Sequence, residues 1–476
     1  MTPPDAPGRC VPVIIGAGPA GLAAAQTLAA HGLRPVLLDE APAVGGQIYR
    51  QAPPGMRRDA RALYGFDARQ ARAAHQLGER LADLADYRPQ TLVWDIQDRT
   101  VHFQSPTGLD SLTFSHLILA TGATDRTLPF PGWLLPGVFT LGGAQVALKY
   151  QGCVIGQTVV LAGTGPLLYL VAWQYAKAGV RVRAVLDSSR FLDQVRAVPG
   201  LAASPGLLAK GLWYVGGLRA RGIPVHTGAR LVTARGDARV QSLVWEARAG
   251  DAATRRETPC DAIGFAYGLR SETQLASLLG CAFQFDERSR AWLPVLDDMG
   301  RTSRPGVYAA GDGAGIEGAE AAGIRGRQAA LALLADAGHA PDPQSIQRCG
   351  RRRKRLAGVR RALEQAFPCP QDWAAQADDT LVICRCEEIT AGEIRRVARE
   401  TGAQDINRVK ALTRVGMGRC QGRMCGMAAA EIVAQAAGVD LRAVGCLRSQ
   451  PPVKPLVMGL APAPQPWEST GEADDD

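Results

Sequence analysis

Val11-Pro12-Val13-Ile14-Ile15-Gly16-Ala17-Gly18-Pro19-Ala20-Gly21 is a short β-rich run that breaks into glycines. A helical pattern follows from Leu22 to His31, and a second apolar run, Val36-Leu37-Leu38, ends in Asp39-Glu40. Each part of this strand–helix–strand unit has a physical task. Gly16 permits a tight turn, Gly18 lets backbone approach a pyrophosphate, and Gly21 allows the helix to pack closely on the strand. The helix that starts at Pro19-Ala20 offers free N–H groups and the positive end of its dipole. Asp39 lies 18 residues after Gly21, the spacing at which an acid reaches a ribose hydroxyl. The stretch predicts an α/β chain whose first domain binds a nucleotide, with Gly16, Gly18, Pro19, Ala20, Asp39 and Glu40 at the site.

A second unit of the same kind begins at Thr158. A β-rich run to Ala162 leads into Gly163-Thr164-Gly165-Pro166-Leu167-Leu168, a helix through Ala178, and a strand from Val180 to Leu186 ending at Asp187. Leu168 stands where the third glycine would be. Gly163, Gly165 and Asp187 are the candidate residues of this second site. An acid there suits a ribose 2′-hydroxyl and repels a 2′-phosphate, which favours NAD over NADP.

Two more segments belong with the first unit. Leu117-Ile118-Leu119-Ala120-Thr121-Gly122-Ala123 is a buried strand ending in small residues, and Val307-Tyr308-Ala309-Ala310-Gly311-Asp312-Gly313 ends in Gly-Asp. Because the second of these follows the Thr158–Asp187 unit, the second fold is inserted in the first. The order resembles the two-dinucleotide-domain flavoproteins, the thioredoxin-reductase-like and glutathione-reductase-like enzymes. The resemblance implies FAD in the first domain, with Asp312 on the ribityl chain. It places Ala120, Thr121, Gly122 and Gly311 around the cofactor. It also sets Ala321, in the helix opening at Gly318, near the flavin pyrimidine, and Gly46 and Gln47 in the segment that wraps the flavin.

Cysteine placement bears on the chemistry. There are eleven cysteines and no Cys-x-x-Cys. A disulfide reductase needs two thiols beside its flavin, so that reaction is excluded. No histidine sits in a recognisable catalytic pattern, and no catalytic residue is assigned. The N-terminus has no export signal, so the thiols are expected in a reducing cytoplasm. The longest near-apolar stretch, Val159 to Trp173, is interrupted by glycine and proline and is too short for a membrane span. The chain is expected to be cytoplasmic, with peripheral attachment at the inner face of a membrane left open.

Four cysteines cluster near the C-terminus: Cys384 and Cys386 as C-x-C, Cys420 and Cys425 as C-x4-C. Four thiolates suit zinc or a 2Fe–2S cluster. Between them, Thr390-x-x-Glu393 forms a capping box for a helix stopped by Gly402. Asp405 caps a second helix to Leu412, and a third runs from near Cys425 to Ala437. Gly416, Gly418, Gly422 and Gly426 let backbone N–H groups approach the sulfurs. The run Gly418-Arg419-Cys420-Gln421-Gly422-Arg423 resembles the bacterioferritin-associated-ferredoxin-like 2Fe–2S domain, which implies iron rather than zinc. Lys410, Arg414, Arg419 and Arg423 are expected to offset the thiolate charge and raise the reduction potential.

These parts give an α/β architecture of two Rossmann-like domains plus a small helical 2Fe–2S domain. The expected limits are 10–144 with 286–340 for the FAD domain, 145–285 for the insertion, 341–379 for a basic helical linker, 380–450 for the cluster domain and 451–476 for a tail. The whole order is similar to the larger subunit of heteromeric bacterial dehydrogenases of amines and amino acids. That group includes opine (octopine, nopaline) oxidases, hydrogen cyanide synthase, and hydroxyproline and proline dehydrogenases. The resemblance implies a smaller amino-acid-oxidase-type flavoprotein partner that oxidises a C–N bond. Electrons then pass through this chain to a quinone, a cytochrome or oxygen. A small ferredoxin-like subunit, an FMN at the partner interface, and NAD or an adenine nucleotide (ATP or ADP) in the second domain are open additions. Two alternatives stay open: a free-standing NADH-dependent reductase, and a structural nucleotide-binding electron-transfer subunit.

The formal charge of +9 has a location. Arg348 to Arg361 holds eight basic residues and no acid, so the rest of the chain is nearly neutral. That argues against nucleic acid and for a basic helix beside an acidic partner.

Overall fold

The structure, a computed structural model, describes residues 11–53, 55–56, 59–249 and 252–458. The expected tail therefore lies largely outside the described residues, as does position 10. Ten parallel strands form two five-stranded sheets. In chain order they are β1 (Pro12–Ile15), β2 (Val36–Leu38), β3 (Asp86–Arg88), β4 (His116–Leu119), β5 (Val138–Thr140), β6 (Thr158–Thr164), β7 (Arg181–Asp187), β8 (Val225–Thr227), β9 (Ala262–Tyr267) and β10 (Val307–Ala309). The helices used below are α1 (Pro19–Ala29), α2 (Leu141–Lys149), α3 (Pro166–Lys177), α4 (Phe191–Leu201), α5 (Pro205–Ala220), α6 (Ala319–Asp336), α7 (Pro343–Ala366), α8 (Ala391–Thr401), α9 (Ile406–Thr413) and α10 (Gly426–Ala437).

The first sheet has the order β10-β4-β1-β2-β3 and the second β8-β7-β6-β9-β5. Strands β1, β6 and β9 are apolar on both faces because helices and other layers cover both sides, as parallel sheets require. Closure of the first sheet by β10, after the whole second sheet has been made, gives the nested order expected from the sequence. The chain crosses between domains through an antiparallel pair, Ala123–Asp125 with Leu269–Ser271. Helices α1 and α6 pack so closely that a Cβ on Gly326 would lie 2.0 Å from the carbonyl oxygen of Ala20.

The expected limits of the insertion shift toward the N-terminus. Strand β5 pairs with β9, and Leu141, Ala144 and Leu148 of α2 share a core with Val159 and Leu161. The insertion thus begins before 145. At its other end Leu275, Ala276 and Cys281 pack with Leu117 and Val307 of the first domain. Three-residue β5 carries too little periodicity to be read as a strand from sequence.

The basic linker is a 24-residue helix, α7, capped by Asp342, whose carboxylate accepts the N–H groups of Gln344 and Ser345. Its Val359, Ala362 and Ala366 pack on Ala197 and Leu201 of α4. Much of its charge is paired: Arg352 with Glu320, Arg353 with Asp298, Arg360 with Glu364.

The C-terminal helices form as the sequence predicts. Both halves of the Thr390–Glu393 capping box are made, Gly402 ends α8 at φ +65°, and Asp405 caps α9. Their core is continuous with that of the insertion through Leu128, Phe130 and Trp133. Each such buried side chain is worth about 1.5–3 kcal/mol. The Trp133 indole also donates to the carbonyl of Val382 at 2.9 Å, and Trp373 donates to Pro129 at 2.8 Å. No helix among the described residues is long and apolar enough to cross a membrane.

Candidate functional site

The first glycine loop is drawn tight by its neighbours. Gly16 has φ +107°, and a Cβ there would fall 2.3 Å from the oxygen of Ala120. Gly18 precedes α1 with no side-chain cap, so the first-turn N–H groups are free for an anion. Gly45 donates its N–H to Ala17, and Gly46 lies across the loop with its Cβ position 3.0 Å from the Gly18 Cα. Asp39 is buried and accepts the N–H groups of Ala17 and Ala41. Burial pushes its carboxyl above the ordinary aspartate range, while the two N–H groups pull it back.

The structure separates Asp39 from its neighbour. Glu40 is turned outward to an ion pair with Lys454 and is not part of the loop. Gln47 likewise accepts from Arg50 at 2.9 Å. The other expected residues converge. A Cβ on Gly311 would stand 2.8 Å from the Ala20 Cβ, and one on Gly313 would stand 2.6 Å from the Thr121 hydroxyl. Asp312 accepts the N–H groups of Glu317 and Gly318 through Oδ1, which braces the turn entering α6 and keeps Oδ2 out of those bonds. Ala321 is buried in the first turn of α6. Tight glycines, an uncapped helix start and a braced acid are what a dinucleotide such as FAD requires, and the residues present fit it.

The second loop is built differently. Gly163 is as constrained as Gly16, with a Cβ position 1.7 Å from the Ala266 oxygen, while Gly165 faces open space at the start of α3. Leu168, in place of the third glycine, is fully buried. Asp187 departs from the expectation. It is 0 % exposed, accepts from Tyr169 Oη at 2.6 Å and from the Ser189 N–H at 2.8 Å, and is met by the Gln194 amide at 3.2 Å. Burial pushes its carboxyl up to about 6 against those hydrogen bonds. Both Asp187 oxygens are engaged by groups of the protein itself, so in this structure it braces the second loop from the interior. Tyr169, one turn along α3, is the residue that sequence reasoning did not weigh.

At the C-terminal site the four cysteines come together. The Cys425 sulfur lies within hydrogen-bonding reach of both Cys384 and Cys420, and Cys386 neighbours Cys420. Cys425 hydrogen bonding, with N–H groups of Gly416, Glu387 and Cys386, pulls the Cys384 thiol down to about 6. Cys420 is drawn to about 5 by Cys425, helped by the N–H groups of Met424 and Gly422. Keeping its proton between the Cys384 and Cys420 sulfurs, together with burial, pushes Cys425 up, and burial pushes Cys386 up. Gly418 leaves no room for a side chain: its Cβ would meet the Cys386 Cβ at 2.2 Å. Among the described residues no three Cys, His, Asp or Glu side chains close on a single-ion site. Four neighbouring thiols, two of them thiolate-prone and served by backbone N–H groups, fit a 2Fe–2S cluster.

The expected compensation by basic residues is reduced. Arg414 pairs with Glu387 and Arg423 with Glu272, each at 2.8 Å, so two of the four cations are already neutralised. Lys410 is buried, and burial lowers its affinity for a proton.

The cluster loop sits directly on the first domain. Arg270 Nη1 donates to the carbonyl of Arg423 at 2.8 Å, and Gln274 Nε2 donates to that of Gln421 at 2.8 Å. The sequence did not single out Arg270, Glu272 or Gln274. The available signal was the alternation Arg270-Ser271-Glu272-Thr273-Gln274, three residues past the end of the buried strand β9.

Comparison with known proteins agrees with this construction. Residues 12–330 match the pyridine nucleotide-disulphide oxidoreductase family, and residues 382–435 match the BFD-like [2Fe-2S] binding domain. The chain is 37% identical to an opine oxidase subunit of Agrobacterium tumefaciens (strain Ach5), covering 93% of this chain and 90% of that protein. It is 38% identical to hydrogen cyanide synthase subunit HcnB of Pseudomonas aeruginosa, over 94% and 97% of the two chains. The fold is shared with L-proline dehydrogenase from P. horikoshii at a TM-score of 0.69 and 21% identity, over 95% and 79% of the chains. Two nested nucleotide folds, a C-terminal four-cysteine domain and relatives matched nearly end to end lead to one assignment: the chain belongs to the pyridine nucleotide-disulphide oxidoreductase family, as a flavin-dependent oxidoreductase with a BFD-like 2Fe–2S domain.

Proposed function

We propose that this chain is the FAD- and 2Fe–2S-bearing subunit of a heteromeric dehydrogenase that oxidises the C–N bond of an amino acid or opine. A smaller amino-acid-oxidase-type flavoprotein partner takes the electrons from substrate, and this chain passes them to a quinone, a cytochrome or oxygen. The observation that carries the reading is the seating of the cluster loop on the turn of the first nucleotide site, through Glu272 and Arg423. Relatives named as subunits of opine oxidase, hydrogen cyanide synthase and sarcosine oxidase support both the substrate class and the heteromer.

FAD supplies a carrier that exchanges electrons in pairs or singly, and the cluster supplies single-electron transfer. The residues of this chain do the rest. Gly16, Gly18, Pro19, Ala20 and Gly46 form the phosphate cradle, and Asp39 holds the loop from beneath. Asp312 braces the turn that leads into α6, whose N-terminus favours negative charge beside the flavin ring. Cys384, Cys386, Cys420 and Cys425 ligate the cluster. Helix α4 supports a partner subunit: its Phe191, Leu192, Val195 and Val198 point outward, 65, 59, 45 and 41 % exposed, an apolar stripe of the kind that a second protein covers.

The test is purification with the native partner, followed by flavin and iron analysis and a dye-reduction screen of opines, proline, hydroxyproline and sarcosine. Activity confined to the complex is the expected result. Full activity of the isolated chain with NADH would replace this reading with that of a free-standing reductase.

A further inference from the structure

Glu272 reaches two places at once. Its N–H donates to the carbonyl of Gly122 at 2.9 Å, and its carbonyl accepts the Thr121 hydroxyl at 2.6 Å. Both partners lie in the turn after β4, within the first nucleotide site. Its carboxylate accepts from Arg423 Nε at 2.8 Å, and Arg423 lies between the ligands Cys420 and Cys425. The two side chains keep 8 % and 13 % of their surface. One residue therefore spans the distance from flavin turn to cluster loop.

The neighbours restrict the loop further. Arg270 Nη1 bonds the carbonyls of Gly422 and Arg423, at 3.4 and 2.8 Å, and Gln274 bonds that of Gln421 at 2.8 Å. Three successive carbonyls of the ligand loop are thus tied to the segment 270–274. Apolar residues would hold two segments together at least as well as a buried ion pair. What the pair adds is electrostatic. Arg423 and Arg270 place two cations at the ligand loop, and the Glu272 carboxylate, ion-paired with Arg423, offsets one of them at close range. A cation left uncancelled there would favour the reduced cluster, which carries one more negative charge.

We propose that Glu272 is a positioning residue for the cluster: it fixes the Cys420–Cys425 loop on the flavin turn and keeps the cluster potential low by neutralising Arg423. The proposal rests on the reading of the four cysteines as 2Fe–2S ligands. The test is an EPR-monitored redox titration of the full chain with its cofactors, in wild type, Glu272→Gln, Arg423→Gln and the double variant. Glu272→Gln should raise the cluster midpoint potential, Arg423→Gln should lower it, and the double variant should return toward wild type. One potential shared by all four, with only thermal stability reduced in the single variants, would overturn the proposal in favour of a plain structural clamp. If Glu272→Gln does not fold, the comparison of Arg423→Gln with the double variant reads the same charge, and equal potentials there overturn it as well. Wild type lacking iron and an EPR signal would instead refute the cluster reading beneath it.

Discussion

Tyr169 Oη donates a 2.6 Å hydrogen bond to Asp187 Oδ2, and this contact turns the acid of the second nucleotide fold into an interior group. In the first fold the corresponding acid, Asp39, is held by the N–H groups of Ala17 and Ala41 beside the glycine loop. The two acids differ in the partner of their second oxygen: a loop N–H at Asp39, a tyrosine hydroxyl at Asp187. The expected outcome is that NADH does not bleach the flavin of the isolated chain. Asp187→Asn should leave the affinity for any adenine nucleotide within about twofold, since a group making no ligand contact contributes little to binding. Calorimetric titration with NADH, NADPH and ATP measures both.

Asp187 also predicts a pH dependence. Burial raises its folded carboxyl to about 6 from an ordinary 3.8. A raised folded value gives stability that is present below about pH 4 and lost as pH rises through about 6. The full linkage is roughly 3 kcal/mol. Asp39 and Asp125 shift in the same direction, whereas Glu272 and Asp336 shift oppositely, so the wild-type profile is a composite. The readout is the difference between variant and wild type. Urea unfolding at pH 4 and pH 7 should show Asp187→Asn gaining on wild type as pH rises; a constant difference would contradict the linkage.

What the sequence made legible was local. Glycine spacing located both βαβ turns, and the Thr390–Glu393 box and Gly402 fixed the ends of α8, because those signals act within one turn of chain. What it hid was tertiary. Nothing near Asp187 in sequence announces that Tyr169, 18 positions earlier, reaches it. Nothing in Glu272 announces Arg423, 151 positions later. Asp39 and Glu40 are equivalent as neighbouring acids in a pattern, and only the path of the backbone just past β2 decides which one faces the loop.

That decision can be tested directly. Asp39→Ala removes the acceptor of two N–H groups and should weaken FAD retention by about 10- to 100-fold, the value of one charged hydrogen bond. Glu40→Ala loses only a partly exposed ion pair with Lys454, worth roughly 0–1 kcal/mol, and should retain FAD like wild type. Flavin-to-protein ratios after dialysis, with apoprotein titration, give both values.

Trp133 anchors the strand that carries Cys384. It is 5 % exposed and donates to the carbonyl of Val382, two residues before that ligand. Trp133→Phe keeps most of the packing but leaves a carbonyl unsatisfied, at a cost of about 1–3 kcal/mol. Trp133→Ala adds a cavity and should cost about 3–5 kcal/mol. Because the indole touches the strand rather than the sulfurs, iron content should hold in Trp133→Phe. Thermal unfolding with parallel iron assay checks whether stability and loading separate.

The cysteines themselves divide by environment. Cys384 and Cys420 are drawn toward the thiolate by Cys425 and by backbone N–H groups, whereas burial pushes Cys260 up to about 12 and keeps it a neutral thiol. Thiolates ligate iron and neutral buried thiols do not. Serine at 384, 386, 420 or 425 should therefore abolish or strongly alter the visible and EPR spectra. Serine at Cys446, which lies near the cluster loop but is exposed and apart from the four clustered thiols, should leave two irons per chain. Loss of iron in Cys446→Ser with retention in Cys386→Ser would reassign a ligand, and it would move the cluster from the Glu272 side of the loop toward the cavity lined by Trp292 and Leu447.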